Sequence, residues 1–438
     1  MTIGGEQGER REKASHDSGS ACAPAALRIA LLGTMPPDGY SGGRYAVVMM
    51  AEALALAGHD VYLITNNRPA FLDDFAAFPG HARVHLCLTP DFSRELPEGP
   101  FDFAIYVPST FLNKPFHYGA LLFALRRRAR LVLVNFESGN WFNALSPAPR
   151  DITLWDPWRQ VARWAVLVLS NAKEGERWAR DFYRDCRKGT KFDWCFPAIN
   201  TLAADSIEEC AREPRIVVFT RFAGSEHKGS RNLMDLLCPA MRGYTLVLVV
   251  GTGAVQKETL EAIRGRAAEL GIGIEVKEQL SDLDKFRELK RAALVLFPSY
   301  FEGYGYPPVE AQYCDVPCIA FDLPVLREVS GERLIYARHG DWADFRSRIE
   351  EVLAGKHPRT GLREAIRASA SIETEAAHLT EILHSAMGIQ PPRPVLRGIH
   401  FAWWHCNARL SWTRMKTTAA GRVLRRVARL FGQGPMAR

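Results

Sequence analysis

The chain of 438 residues contains no uninterrupted apolar run of about 18 residues, the length that a membrane-spanning helix requires. A spanning helix is therefore not expected. Cysteine is sparse and scattered, with 9 residues in the whole chain, of which only Cys314 and Cys318 lie close together. A zinc site would need a second such pair, so we expect reduced structural thiols and a cytoplasmic protein.

The glycine-containing loop of residues 33–45 lacks both the GxGxxG spacing of dinucleotide-binding folds and the ending of a Walker loop. These two phosphate sites are therefore excluded for this loop. Gly42 and Gly43 nevertheless precede a predicted helix over residues 44–57, and amides at a helix start can point at an anion. A flexible surface loop is the alternative interpretation.

The acidic and basic residues are unevenly distributed along the chain. The formal net charge is +7, but residues 391–438 contain ten Lys and Arg and no acidic residue, so the rest of the chain has a net charge of −3. The body of the protein is therefore not basic, and no nucleic-acid-binding fold is recognisable. We expect no nucleic-acid partner.

Apolar runs of strand length alternate with helical stretches, which is typical of parallel α/β domains. The runs are 28–33, 60–65, 83–88, 101–107, 130–136, 165–170, 215–221, 244–251, 272–276, 293–299, 317–322 and 334–337. A further strand is predicted at 194–199, followed by a polar hinge at 201–214. The length of the chain favours two domains of roughly 150 to 200 residues each.

The stretch EGYGYPPVE places Glu302 and Glu310 at a crossing from a strand to a helix. Ligands of open parallel sheets bind at the carboxyl ends of the strands, and carboxylates there can accept hydrogen bonds from hydroxyl groups. Gly303 and Gly305 leave the backbone free to approach a phosphate. This pattern favours a nucleotide sugar as ligand, whereas the alternative is a solvated loop carboxylate beside a helix-start Glu.

The segment FPSYFEGYGYPPVEAQYCDVPCIAFD resembles the donor-site signature of retaining GT-B glycosyltransferases, above all of family 4. Two further motifs, both upstream of this segment, also match the family pattern, and the three motifs occur in the order that the family has. RFAGSEHKGSRNL carries Arg221 and Lys228 after a strand, and RIALLG begins the chain's first predicted strand, ahead of a loop with two glycines. The resemblance extends over roughly residues 27–385.

The resemblance implies an α/β GT-B architecture, with two doubly wound Rossmann-like domains facing each other across a cleft and a C-terminal helix that crosses back. It implies an acceptor-side domain at 26–200, a nucleotide-sugar-binding domain at 201–370 and a cross-over helix at 371–390. Composition and residue spacing predict the two ends: a disordered tail and not a secretion signal at 1–25, and a basic aromatic tail with an amphipathic helix at 391–438.

The resemblance also implies roles for single residues. Glu310 would bind the ribose hydroxyls and Glu302 would lie near the donor sugar, while Arg221 and Lys228 would hold the diphosphate. Two surface cations on a loop are the alternative for the basic pair. The donor site would be completed by Gly303, Tyr304, Gly305 and Tyr306, with Gly42 and Gly43 between donor and acceptor. No metal cofactor is expected, because two cations and a helix dipole can replace Mg²⁺.

The chain departs from its relatives at Glu137, where many family members carry a His that contacts the transferred sugar. A carboxylate could bind sugar hydroxyls or stabilise an oxocarbenium-like centre, so we predict Glu137 as a catalytic residue. An acceptor-pocket role is considered but not favoured for the following residues Asn140, Trp141 and Asn143.

Other residues with reactive or metal-binding side chains are predicted to be structural. His117 is expected to be a satisfied or exposed histidine. Asp282 and Asp284 spell the DxD string of metal-dependent glycosyltransferases, but they open a helix, where acids suit the dipole. Lys277 and Arg231 are expected to be surface residues.

Two helical patterns follow the second domain. Ser371 is predicted to cap a helix with Ile372, Ala376, Leu379 and Leu383 on one face. Within residues 401–431, aromatic residues precede a helix with apolar and arginine faces. Such a helix suits an anionic membrane surface, and packing on the body or a disordered tail are the alternatives.

The predicted function is a retaining hexosyltransferase that moves a sugar from a nucleotide-diphosphate sugar to a saccharide, a lipid-linked saccharide or another glycoconjugate. A location in the cytoplasm, with peripheral attachment to the inner membrane face, would follow. The alternatives are a sugar-nucleotide epimerase and a catalytically silent nucleotide-sugar-binding protein. A phosphorylase of the glycogen type would need a much longer chain.

Overall fold

The computed structural model describes residues 25–36, 41–92, 97–109, 114–186, 188–222, 226–251, 257–355 and 361–391. The predictions for the N-terminal tail before Ala25, and for the basic tail after Pro391, therefore lie outside the described residues. Within the described part of the chain, none of the helices combines the length and the apolar character needed to cross a bilayer.

The first domain is built on a parallel sheet of seven described strands in the order β3-β2-β1-β4-β5-β6-β7. The strands are β1 Arg28–Gly33, β2 Asp60–Thr65, β3 Val84–Leu88, β4 Phe103–Val107, β5 Arg130–Asn135, β6 Leu167–Ser170 and β7 Lys191–Trp194. The central strand β4 is buried at every position, because helices cover both faces of the sheet. This explains why its sequence is a continuous apolar run and does not alternate.

Helices connect these strands on the two faces of the sheet. They are α1 Gly42–Leu56, α2 Lys114–Arg126, α3 Gly139–Leu145, α4 Asp156–Ala162 and α5 Lys173–Phe182, followed by the short α6 Thr201–Asp205. Helix α1 is buried along most of its length, from Tyr45 to Ala55.

The second domain repeats this architecture with a parallel sheet of six described strands in the order β10-β9-β8-β11-β12-β13. The strands are β8 Arg215–Thr220, β9 Thr245–Val250, β10 Gly273–Glu278, β11 Leu294–Phe297, β12 Cys318–Phe321 and β13 Ile335–Ala337. The helices are α7 Leu233–Leu236, α8 Lys257–Leu270, α9 Asp282–Arg291, α10 Tyr306–Tyr313, α11 Pro324–Ser330 and α12 Trp342–Leu353. The predicted pair of doubly wound α/β domains is confirmed.

The strand predicted at 194–199 is wrong in its position. The structure has β7 at Lys191–Trp194, and residues 195–200 have no regular structure. Cys195 N still donates to Ser170 O at 2.9 Å. Pro197 follows two residues later and has no N–H group, so it cannot extend the ladder.

Two helices, α13 Arg363–Ala370 and α14 Ile372–Ala386, follow the second sheet. Helix α14 packs on the first domain, where Ile372, Leu379 and Leu383 join the apolar core around α1. Ser371 caps α14 by accepting a hydrogen bond from Thr374 N at 3.3 Å. The predicted cap and apolar face are both confirmed.

A carboxylate of the second domain caps a helix of the first. Helix α5 has no side-chain cap of its own, because its N-cap residue is Ala172. Glu328 on α11 supplies the missing acceptors, with Oε1 at 2.7 Å from Lys173 N and Oε2 at 2.8 Å from Glu174 N. The carboxylate also complements the positive end of the α5 dipole, so it links the two domains.

We predict that Glu328→Ala lowers the free energy of unfolding by about 0.5–2 kcal/mol, the range expected for loss of a helix cap. Urea unfolding followed by tryptophan fluorescence measures the change. The control is Glu364→Ala, because the Glu364 side chain is 83% exposed. Equal midpoints for the two variants would contradict the capping role.

Candidate functional site

A cavity of about 930 Å³ lies between the carboxyl ends of the two sheets. Residues that follow β1, β4, β5 and β6 line it from the first domain, and residues that follow β8, β9 and β11 line it from the second. It brings together all the residues predicted for the donor and catalytic site, which are Gly42, Gly43, Glu137, Arg221, Lys228, Glu302, Gly303, Tyr304, Gly305, Tyr306 and Glu310.

The loop that carries Glu302 is shaped by two glycines. Gly305 precedes helix α10 with a φ of 98°, a left-handed conformation that suits glycine, and prolines occupy the first turn. Gly303 lies against the first domain, and a Cβ atom added there would be 2.1 Å from Phe136 O. A side chain at Gly303 would therefore push the two domains apart at the cavity.

The predicted diphosphate cations occupy the second-domain wall. Lys228 Nζ lies 2.5 Å from Glu302 Oε1. Burial lowers the pKa of Arg221, while the charge of Glu302 acts against this effect. Next to Lys228, Gly229 has a φ of 70°, and a Cβ atom there would lie 2.3 Å from Pro298 O. A side chain at position 229 would therefore clash with the backbone that follows β11.

Glu137 lies on the opposite wall, just beyond the carboxyl end of β5. Burial raises the pKa of Glu137, and the nearby cations Arg150 and Lys228 counteract this effect. Arg150 Nη1 is 3.9 Å from Glu137 Oε1, which is a loose ion pair. The carboxylate thus lies in the same cavity as the cations of the second domain.

Glu310 lies deeper in the second-domain wall and is only 2% exposed. Its Oε1 accepts a hydrogen bond from Lys285 Nζ at 2.6 Å. Burial raises the pKa of the Glu310 carboxyl, and Lys285 opposes this by stabilising the charged form. A buried carboxylate with a cation beside it is suited to accept hydrogen bonds from hydroxyl groups.

Sequence reasoning missed three cations that line the cavity: Arg44, Arg150 and Lys285. Arg44 directly follows the two glycines of the first loop, and burial lowers its pKa to about 10. Its position beside a glycine pair could have drawn attention to it. Lys285 lies one helical turn after Asp282, which is also a detectable pattern. Arg150 has no comparable sequence signal.

The three residues considered for an acceptor pocket do not line the cavity. Asn140 bonds the backbone of Trp178 and the carboxylate of Asp181 on α5. Trp141 is buried and packs edge-on against Phe301 with ring centroids 4.9 Å apart. Asn143 bonds both N and O of Arg150 at 2.8 Å, so it supports the loop that carries that cation.

The histidine and the two basic residues that were predicted to be structural differ in how far they are buried. His117 is buried, with Nδ1 2.7 Å from Tyr106 Oη. Arg231 is 75% exposed beside Glu226, whereas Lys277 is partly buried and bonds Glu288 at 2.6 Å. The surface assignment of Lys277 is thus only partly correct.

The DxD string opens helix α9, as predicted, with Ser281 as the cap. Asp282 is buried, and Asp284 pairs with Arg287. Among the described residues, no group of three or more potential ligands from His, Cys, Asp and Glu is placed to hold a metal ion.

A second buried acid lies behind the donor loop. Glu375 of α14 accepts a hydrogen bond from Ala198 N at 2.8 Å, and burial raises its pKa to about 8. Burial, followed by the charge of Glu375, raises the pKa of both Tyr304 and Tyr306. The cross-over helix therefore faces the back of the loop whose front lines the cavity.

Solved structures with the same arrangement of two domains identify the fold. Sucrose-phosphate synthase from Thermosynechococcus elongatus superposes with a TM-score of 0.62 at 18% identity, over 82% of this chain and 98% of that one. Anabaena HepE in complex with UDP and glucose superposes with a TM-score of 0.61 at 15% identity, over 82% and 100%. At these identities the likeness concerns the fold, which is the GT-B fold.

Residues 212–369, which include the second sheet, match the family model described as glycosyl transferases group 1. The O-antigen chain mannosyltransferase RfbU of Salmonella typhimurium is 31% identical over 90 residues, which are 19% of this chain and 26% of that protein. A D-inositol 3-phosphate glycosyltransferase of Mycolicibacterium smegmatis is 36% identical over 115 residues, 24% of each chain. The chain spans only about a quarter of the length of these curated relatives.

We predict that Glu375→Gln stabilises the protein increasingly as the pH rises. The pKa of Glu375 is about 8 in the folded protein and 4.5 ordinarily, so between these values the folded chain keeps a proton that the unfolded chain has lost. Wild-type stability therefore falls with pH in this window, and the neutral amide escapes the penalty.

Urea unfolding at about pH 5 and about pH 9 measures this difference. Cys195, Tyr304 and Tyr306 surround Glu375 and are unchanged in the variant. Glu373→Gln, at an exposed position on the same helix, is the control. A stability difference that is independent of pH would contradict the assignment.

Proposed function

We propose that this protein is a glycosyltransferase that moves a sugar from a nucleotide-diphosphate sugar to an acceptor. The observation that carries the proposal is the single cavity shared by Arg221, Lys228, Glu302 and Glu310. The match of the second domain to glycosyl transferases group 1 supports the same conclusion, as does the GT-B fold.

The donor lies mainly against the second domain. Its diphosphate contacts Arg221 and Lys228 and the amides at the start of α10, whose helix dipole favours an anion. Arg can bond two phosphate oxygens at once, while Lys acts as a point charge. Glu310 accepts the ribose hydroxyls, and Glu302 lies beside the sugar, held by its contact with Lys228.

In the reaction, the bond between the anomeric carbon and the diphosphate oxygen breaks, and its electron pair leaves with the nucleoside diphosphate. The acceptor hydroxyl oxygen bonds to the same carbon, and its proton passes to the departing phosphate. We propose that the anomeric configuration is retained and that the transferred sugar is a hexose. Arg221 and Lys228 stabilise the growing negative charge, and Glu137 faces the developing positive charge.

The reaction is proposed to need no metal ion. Two cations of the chain already line the cavity where a diphosphate would lie. The first acid of the DxD string is engaged elsewhere, because Asp282 bonds Lys285 Nζ at 2.7 Å and Asn200 Nδ2 at 2.8 Å. Its oxygens are therefore committed to protein groups.

The acceptor is proposed to be a saccharide, a lipid-linked saccharide or another glycoconjugate, and the reaction to take place in the cytoplasm. It would reach the cavity along the first domain, beside Glu137 and the loop of Gly42 and Gly43. Attachment to an anionic membrane stays a prediction from residues 401–431, which lie outside the described residues.

A thermal-shift screen with UDP, GDP, ADP and their sugars should show stabilisation by one nucleotide. A ligand at a hundredfold excess over its dissociation constant stabilises by about 2.7 kcal/mol. The same stabilisation should fall sharply in Glu310→Gln, because the neutral amide is a weaker acceptor for ribose hydroxyls. No shift with any of these ligands would contradict the proposal.

Arg221→Ala should lower turnover by a factor of about 10² to 10³, as expected when one charge stabiliser is removed. Release of the nucleoside diphosphate from the selected nucleotide sugar measures turnover without a known acceptor. Arg231→Ala is the matched control, since that side chain is 75% exposed. Turnover of Arg221→Ala near that of the control would refute the diphosphate role.

A further inference from the structure

The start of helix α9 carries a buried ionic group that the proposed reaction does not use directly. Asp282 is only 1% exposed, although it is the first residue of the helix and Ser281 caps that turn. An acid at this position normally lies in solvent near the helix dipole. Its burial indicates that contacts with other groups offset the free-energy cost of removing its charge from water.

Lys285 is the first of these partners and connects two acids. Its Nζ lies 2.7 Å from Asp282 Oδ1 and 2.6 Å from Glu310 Oε1. The ammonium also lies over the rings of Tyr45 and Phe286, at 5.2 and 4.8 Å from their centroids. The aromatic rings and the acids enclose it, so its position is well defined.

The second oxygen of Asp282 reaches toward the first domain. Asp282 Oδ2 accepts a hydrogen bond from the hydroxyl of Tyr45 on α1. It also accepts one from Asn200 Nδ2 at 2.8 Å, and the same amide group bonds Asp74 O at 3.2 Å. A continuous polar chain therefore runs from helix α1 through Asp282 and Lys285 to Glu310.

This series of polar contacts determines the protonation state and the orientation of the Glu310 carboxyl group. One oxygen of Glu310 is fixed by Lys285, and the described residues supply no hydrogen bond to the other. Burial alone would favour the protonated acid, which accepts fewer hydrogen bonds than the carboxylate. Lys285 keeps the charge on a carboxylate that already lines the cavity.

We propose that Lys285 is a positioning residue for ribose recognition. It holds Glu310 so that its second oxygen binds the ribose hydroxyls of the nucleotide, and Asp282 ties this arrangement to Tyr45 of the first domain. The inference rests on the proposed nucleotide-sugar function. It makes the hydroxyl preference of the donor site dependent on the contact between the two domains.

The test compares nucleotides with and without ribose hydroxyls. Calorimetry measures the affinities of UDP, GDP and ADP and of their 2′,3′-dideoxy counterparts. For the wild type we expect the ribose form of the preferred nucleotide to bind about 10-fold or more tightly, since hydrogen bonds to a charged group are lost without it. In Lys285→Met this preference should fall to about 3-fold or less.

The matched control is Lys290→Met on the same helix. The Lys290 side chain is 1% exposed against 14% for Lys285, and its partners are Ile207 O and Glu209, away from Glu310. This variant loses a buried lysine and should keep the ribose preference. A lower preference in Lys285→Met than in Lys290→Met therefore separates positioning from general destabilisation, which circular dichroism monitors.

Tyr45→Phe tests the link to the first domain and remains informative if Lys285→Met does not fold. It removes only the hydroxyl that bonds Asp282, and it should reduce the ribose preference about 2- to 5-fold. Wild-type preference in Tyr45→Phe would overturn the domain link, and wild-type preference in folded Lys285→Met would overturn the positioning role.

The wild type itself distinguishes the two levels of the proposal. If it binds none of the three nucleotides, the proposed function fails and the positioning role fails with it. If it binds one of them but does not prefer the ribose form, the nucleotide-binding function survives and the role of Lys285 is refuted.

Discussion

The cavity contains charged groups of both signs that are largely buried, and buried charges must be paired. This need for pairing determines how the walls of the cavity are arranged. An isolated buried charge costs several kcal/mol, so each carboxylate needs a cation close by. Lys285 meets this need for Asp282 and Glu310, and Lys228 meets it for Glu302. Helices α9 and α10 are therefore fixed against each other by charge as well as by apolar packing.

The two domains meet through a small number of directed contacts around this cavity. Gly303 admits the backbone of Phe136, Glu328 caps α5, and Tyr45 bonds Asp282. Each contact joins a loop or helix end of one sheet to the other domain. The shape of the cleft thus depends on a few polar contacts, which a small rotation of one domain against the other would break. Such contacts are suited to a site that must admit and release ligands.

Much of the fold could be predicted because buried parallel strands are continuous apolar runs with polar segments between them. The donor loop could be found because its glycines, prolines and acids form one short motif. Arg150 was missed, since no local pattern in the sequence marks it. The partners of Asn140 and Asn143 could not be predicted either: both side chains bond backbone or helix groups, and spacing does not show which partner a polar group has.

By itself, the sequence determined two doubly wound domains, the strand-to-helix crossing at EGYGYPPVE, and a helix after residue 370, because local periodicity and turn chemistry decide these features. Only the tertiary structure decided which charges meet. Asp282 was interpreted as a helix-start acid that suits the dipole, and the structure also buries it between Tyr45, Asn200 and Lys285. The contacts with Tyr45 and Asn200 join residues more than eighty positions apart, and their energies depend on distance and burial, which no linear pattern encodes.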